Sequence, residues 1–385
     1  MPSRVSNRLC AIPDSGLLHF FDILNSMDDV LSLGIGEPDL ATPVPVCDAA
    51  IDSIRQGRTG YTSNAGILEL RQEIAAYLDR HYQVRYDPET EILVTVGVSE
   101  ALHAAILAMV DPGEDVLVPE PCFVSYTPCV ALASANPVPV ATRPEEGFEL
   151  TVERLEATLT PRSRVLMFGY PNNPTGAVMS REHMLPVAQF AADHDLMVIS
   201  DEIYDRFVYG VEHTCFAALP GMKERTILLG GFSKSYAMTG WRIGYACGPA
   251  EVLHAMCKVH QFIIMSAPTA AQVGVLEGMA CEDDLTREIT ETFRVRRDLV
   301  VSGLADIGLP CVEPRGAIYA FPSIAHTGLT SMQFSEGLLR QQKLAMVPGS
   351  AFGPSGRGHV RLAYTVTSSE LEEALDRLDR FVRRL

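Results

Sequence analysis

Only four of the 31 lysine and arginine side chains are lysines, and one, Lys234, stands in Gly230-Gly231-Phe232-Ser233-Lys234-Ser235-Tyr236-Ala237-Met238-Thr239-Gly240, directly after the apolar run Thr226 to Leu229. An amine placed where a buried strand breaks into a turn rich in glycine and hydroxyls is a candidate carbonyl trap, because an apolar setting disfavours the ammonium and leaves the nitrogen nucleophilic. Asp201-Glu202-Ile203-Tyr204 follows the run Leu196 to Ser200, setting a carboxylate at a strand end and a phenol three residues on. In a short helical or turn segment that spacing lets both reach one ligand. In a dry cleft Asp201 needs a cationic or hydrogen-bonding partner to stay ionised. The alternative is an N-cap with Tyr204 packed for shape.

Gly97-Val98-Ser99-Glu100-Ala101-Leu102 follows another apolar run. Its glycine allows close approach, and the amides and hydroxyl opening a helix can bind a phosphate; equally, Ser99 can cap that helix. Gly169-Tyr170-Pro171-Asn172-Asn173-Pro174-Thr175-Gly176 is a rigid turn. A surface turn explains its prolines and glycines, but not the amide at Asn173. Arg242, eight residues beyond Lys234, can return along a following strand toward a phosphate. A lysine, a strand-end carboxylate, a neighbouring phenol and a phosphate grip together suit pyridoxal 5'-phosphate better than any other cofactor. The lysine condenses with the aldehyde, the carboxylate keeps a proton on the ring nitrogen, and the phenol tunes the 3'-oxygen.

These residues need a scaffold that presents strand ends. From about residue 90, apolar runs at 91–96, 116–118, 138–140, 165–168, 196–199, 226–229 and 241–246 alternate with helical patterns at 99–110, 181–194, 250–264 and 268–279. Continuous apolar strands between helices imply a sheet covered on both faces. Ligands in such sheets collect beyond the C-terminal strand ends. A mainly polar helix from Leu285 to Leu304 leads to strands at 317–321 and 360–364 and a closing helix at 369–382.

With 385 residues, 47% of them hydrophobic, the chain can bury one large and one smaller core. No apolar stretch approaches the roughly 18 residues of a membrane span. The start, Met1 to Arg4 followed by Asp14 and Gly16, lacks a signal core, so a cytoplasmic location is expected. Nine scattered cysteines without a Cys-x-x-Cys pair read as free thiols. The formal charge of −17 disfavours nucleic acid as a partner. No histidine has metal-ligand spacing, so no metal is expected, and there is no Gly-x-Ser-x-Gly elbow.

The chain resembles the class I and II aminotransferases, fold-type I pyridoxal-phosphate enzymes of the aspartate aminotransferase superfamily. The matching text is Gly36-Glu37-Pro38-Asp39; Tyr61-Thr62 with Gly66 and Glu69-Leu70-Arg71; Asn173-Pro174-Thr175-Gly176; Asp201-Glu202-Ile203-Tyr204; Ser233-Lys234 through Gly240-Trp241-Arg242-Ile243-Gly244; and Arg361-Leu362. These blocks run in the family's order across nearly the whole chain.

The resemblance implies an α/β fold: a large domain with a mostly parallel seven-stranded sheet covered by helices, and a smaller α+β domain. Residues 1–45 would join the small domain, 46–283 would form the cofactor domain, and 284–385 the C-terminal small domain. By the same resemblance Lys234 is the Schiff-base lysine and proton shuttle, and Asp201 the pyridinium partner, with Tyr204 and Asn173 near the 3'-oxygen. Ser99, Ser233 and Arg242, with backbone at Val98 and Glu100, would hold the phosphate, and Phe123 would stack on the ring, where a core phenylalanine is the competing account. Tyr61 would reach the phosphate of a partner subunit, implying a homodimer with shared active sites. Arg361 would fork onto the substrate α-carboxylate, with the Gly36 amide as a second contact.

The implied reaction is ping-pong transfer of an amino group from an L-amino acid to a 2-oxo acid. Helix 99–110 carries no lysine or arginine to read a second carboxylate. Another segment or subunit could supply one, so aromatic, aliphatic and aspartate-type donors all stay open. The runner-up is a carbon–sulfur β-lyase of cystathionine type using the same residues.

Overall fold

The computed structural model describes residues 4–10, 12, 22–24 and 27–385. The reading placed on Met1–Ser3, Asp14 and Gly16 lies outside them. After a short first strand, β1 (Leu31–Ser32), seven strands build the main sheet: β2 (Ile92–Thr95), β3 (Asp115–Glu120), β4 (Asn136–Ala141), β5 (Ser163–Gly169), β6 (Met197–Asp201), β7 (Thr226–Gly231) and β8 (Gly244–Cys247). Their order is β2-β8-β7-β6-β5-β3-β4, and only β8 runs against its neighbours.

The unbroken apolar runs follow from burial on both faces. Val116, Val118, Val165, Met167, Ile199 and Leu229 face a core shared with helices Gly97–Met109 and Ala250–Ile263. The alternate residues Leu117, Leu166, Phe168 and Val198 pack against helix Arg181–Asp193. That helix starts where Ser180 accepts a hydrogen bond from the His183 amide. β4 is the exception: it lies at the sheet edge, and its residues are mostly exposed or half-buried.

A second, antiparallel sheet has the order β11 (Val347–Pro348), β12 (Val360–Ala363), β9 (Tyr319–Ala320), while β1 pairs in parallel with β10 (Leu344–Ala345). Helix Glu282–Ile307 and the closing helix Ser368–Val382 share a core with β9, β10 and β12. The closing helix opens on a capping box between Thr367 and Glu370. Segment 31–42 crosses between the two sheets. Leu33 exchanges backbone hydrogen bonds with Ala345 and Ala363, while the Thr42 hydroxyl donates to the Ala237 carbonyl and accepts from the Trp241 indole.

Three sequence expectations shift. The strand expected at 241–246 begins at Gly244: Thr239–Trp241 forms a single 3-10 turn, and Arg242 follows at φ 58. Arg242 therefore precedes the strand instead of lying along it. At 317–321 only Tyr319–Ala320 pairs, because Ala317 takes φ 56 and breaks the extended run. The helix expected at 285–304 spans 26 residues, and its Arg296 and Arg297 are buried. Arg296 forks onto Asp39, at 2.6 and 2.8 Å, and Arg297 reaches Glu313.

No helix among the described residues is long and apolar enough to cross a membrane. The described residues contain no cluster of metal-ligating side chains.

Candidate active site

A cavity of about 320 Å³ opens beyond the C-terminal ends of β5, β6 and β7, and residues of the second sheet close its other side. Gly36, Val98, Ser99, Phe123, Asn173, Asp201, Tyr204, Ser233, Lys234, Arg242 and Arg361 all line it. Two expected residues do not. Glu100 turns its side chain away: Oε2 accepts from the Val96 amide and Oε1 pairs with the buried His260 at 2.6 Å, leaving only its backbone near the helix start. Tyr61 is 85% exposed and does not line this chain's own cavity.

Lys234 follows the end of β7, where the glycine-rich strand end gives way to the turn at Ser233–Tyr236. Its Nζ donates to the Gly36 carbonyl at 2.6 Å. Asp201 ends β6 at 6% exposure. Its Oδ2 accepts from the Tyr126 hydroxyl at 2.8 Å and its Oδ1 from the Ile203 amide. Burial pushes Asp201 up to about 6, although both donors and the Lys234 charge pull it down. Among the described residues no cation contacts it directly, so a positively charged ring nitrogen in the cavity would complete its pairing.

The end of the cavity expected to take the phosphate lies where Gly97 opens helix Gly97–Met109. An added Cβ at Gly97 would stand 2.7 Å from Arg242 Nη2, so only glycine, at φ 75, lets the guanidinium settle there. The left-handed turn at Arg242 aims it back, and its Nη1 donates to the Thr239 carbonyl at 2.8 Å. Ser99, Ser233 and this arginine thus surround a helix N-terminus, a setting suited to an anion. Phe123 borders the cavity, its ring edge-on to Tyr126 at 5.7 Å.

Arg361, on β12, is buried against the Tyr319 and Phe352 rings, 4.5 and 4.8 Å from their centroids. Nη1 donates to Asn173 Oδ1 at 2.9 Å and Nη2 to the Gly34 carbonyl at 2.6 Å, while the buried Nε has no partner among the described residues. A guanidinium held by neutral acceptors, with donor capacity unspent, is ready for a carboxylate. Both ends of the cavity therefore fit an amino acid joined to a phosphorylated pyridine aldehyde.

Sequence reasoning missed two phenols here. Tyr126 lies three residues after Phe123, one helical turn that could have signalled a shared site. Tyr319 sits in an apolar run that reads as core, and its hydroxyl lies 2.7 Å from that of Tyr204. Glycine makes room for each: an added Cβ at Gly169 would stand 2.5 Å from the Tyr126 hydroxyl, and one at Gly36 would stand 2.0 Å from that of Tyr319.

Comparison with known proteins agrees with this geometry. The family model for aminotransferase class I and II matches residues 28–378. Aromatic-amino-acid aminotransferase 2 of Thermococcus litoralis is 41% identical over 98% of both chains, and an aspartate aminotransferase of Pyrococcus abyssi is 42% identical over the same shares. The crystal structure of an aromatic aminotransferase from Pyrococcus horikoshii superposes with a TM-score of 0.91 at 41% identity, covering 95% of this chain and 99% of that one. The chain belongs to the class I and II aminotransferases. It is a pyridoxal-phosphate-dependent enzyme whose reaction is transamination, and these relatives lend the β-lyase alternative no support.

Proposed function

We propose that Lys234 is the residue that both joins the cofactor and moves the proton, and that the cleft accepts a broad set of L-amino acids in which aromatic and aliphatic side chains predominate. The observation carrying this is the convergence of Lys234, Asp201 and Arg361 on one cavity. Bound there, pyridoxal 5'-phosphate supplies an aldehyde for covalent attachment and a protonated ring that takes up the electron pair released at Cα.

Arg361 forks onto the substrate carboxylate, held in register by Asn173 and Gly34. Lys234 Nζ, kept at the cavity by the Gly36 carbonyl, takes the Cα proton and returns it two bonds away, at the former aldehyde carbon. Asp201 keeps the ring nitrogen protonated, and Tyr126 fixes the carboxylate's orientation. Tyr204 donates toward the 3'-oxygen, with Asn173 nearby. Phe123 covers a ring face, while Ser99, Ser233, Arg242 and the backbone at Val98 and Glu100 hold the phosphate.

Support for neutral donors comes from the lining. Its three cations, Lys234, Arg242 and Arg361, each have a task, and Leu102, Val124, Ile203, Val347 and Phe352 make much of the rest apolar. A hydrophobic pocket separates related side chains weakly. The similar proteins carry both aromatic and aspartate names, so aspartate-type donors belong within the range, with a cation from outside this lining.

A homodimer fits Tyr61, whose loop neighbours an exposed apolar stretch, Phe262 to Met265, through Asn64 and Met265. Tyr61 would then complete the partner's phosphate site. The division into 1–45 with 284–385, and 46–283, fits the core around the second sheet, which Tyr204, Phe207 and Tyr209 join from the larger part. Nine free thiols suit the cytoplasm.

The test is single-turnover spectroscopy of the holoenzyme against a panel of amino acids, following loss of the visible band of the covalent link. Aromatic and aliphatic donors should convert fastest. Lys234→Ala should lose both that band and transamination, and an unchanged cofactor spectrum in this variant overturns the assignment.

A further inference from the structure

Tyr319 occupies β9, 2% exposed and paired with Ala363 of β12, so its ring is fixed by the second sheet. Its hydroxyl has one hydrogen-bond partner among the described residues, the Tyr204 hydroxyl at 2.7 Å. The two rings meet edge to face at 5.8 Å. Phenylalanine would fill the same space, and a buried hydroxyl costs free energy unless it is hydrogen-bonded. Gly36 leaves that hydroxyl its place, since any Cβ there would collide with it.

Each phenol has a single proton to give. If Tyr204 donated to Tyr319, its own proton would be spent and the cavity would meet only a lone pair. The surroundings favour the opposite direction. The Arg361 guanidinium lies over the Tyr319 ring and draws charge from its oxygen. Tyr204 is pushed well above the usual phenol range, first by burial and then by Tyr319; the Arg361 charge pulls it partly back and the Asp201 carboxylate adds to the rise. It keeps its proton and offers the better acceptor oxygen.

We propose that Tyr319 is a positioning residue with two separable tasks: its hydroxyl donates to Tyr204, which leaves the Tyr204 proton aimed into the cavity, and its ring seats the carboxylate-binding Arg361. This rests on the reading of Tyr204 as the phenol that meets the cofactor's 3'-oxygen. A donor that is itself hydrogen-bonded gives a stronger bond onward, so Tyr319 strengthens what Tyr204 does at that oxygen.

The experiment measures three holoenzyme variants, Tyr319→Phe, Tyr319→Leu and Tyr204→Phe, reading the pH midpoint of the bound cofactor's visible absorbance together with kcat and KM for an aromatic donor. Weaker donation leaves more negative charge on the 3'-oxygen, so the lysine–cofactor link holds its proton more tightly. Tyr319→Phe should raise the midpoint by about half a pH unit and lower kcat, with KM within about twofold of the parent. Tyr319→Leu should add a rise in KM of about tenfold, because the guanidinium loses its platform.

If Tyr204→Phe moves the midpoint and Tyr319→Phe does not, the hydrogen-bond relay is refuted while the reading of Tyr204 stands. If Tyr204→Phe leaves it unmoved, that reading falls and the relay with it. Equal KM increases in Tyr319→Phe and Tyr319→Leu refute the division of tasks. Tyr319→Phe preserves the ring's volume and tests the hydroxyl by itself; Tyr319→Met replaces the leucine variant if the latter does not accumulate folded.

Discussion

Asp201 closes β6 and Glu120 closes β3, both at the C-terminal ends of parallel strands and both almost fully buried, at 6% and 5% exposure. Burial pushes both above the ordinary carboxylate range, Asp201 to about 6 and Glu120 to about 7. Their surroundings separate them. Asp201 accepts from Tyr126 and Ile203 and borders open space that Lys234 also borders. Among the described residues Glu120 is helped only by the Ser355 amide and its Oε2 has no partner, and an added Cβ at Gly353 would stand 2.3 Å from its Cδ. A buried strand-end acid becomes part of a site when it has oriented donors and room for a cation; burial alone leaves an acid that destabilises its own ionised form.

The sharpest way to break this comparison is to exchange the two in activity. Asp201→Ala should lower kcat/KM by about a thousandfold or more, as expected when a charge partner of the reacting system is removed, whereas Glu120→Gln should stay within about threefold. Comparable losses in steady-state assays would place Glu120 in the reaction.

Stability should show the reverse bias. Because the folded protein holds the Glu120 proton more tightly than the unfolded chain, the cost of ionisation is absent below its ordinary value near 4.5 and grows as pH rises to about 7. Glu120→Gln should therefore remove a decline in unfolding free energy across that window, a gain of about 2 kcal/mol at pH 8 by urea titration.

The smallest expected effect sharpens the Asp201 side. Tyr126→Phe removes a bond that pulls Asp201 down, so its carboxyl should titrate higher in cofactor-free protein by NMR. Turnover should fall about tenfold, the scale of one hydrogen bond to a charged group.

The sequence exposed residues that each had a structural alternative, but whose conjunction at strand ends packing explained poorly. Lys234, Asp201, Ser99 and Asn173 stood in turns following apolar runs, and the fold brings those turns together. What stayed hidden depended on tertiary direction. Tyr319 lies inside an apolar run, and nothing local tells that its hydroxyl meets Tyr204 across the boundary of the two sheets. Arg242 sits in text that reads as strand, yet its left-handed backbone is set by the need to fold the guanidinium over Gly97, 145 positions earlier in the chain. Glu120 shows the converse, since its sequence setting resembles that of Asp201 and only the space around it tells them apart.

The parallel pairing of Leu31 and Ser32 with Leu344 and Ala345 bears on biosynthesis. The Gly36 region is translated well before the strand that anchors it, since β1 and its partner β10 lie far apart along the chain. A chain ending before residue 344 would have Lys234 and Asp201 without the β10 pairing that anchors the segment leading to Gly36. The Gly36 side of the cavity therefore depends on a contact that is distant along the chain, the kind that costs most chain entropy to close.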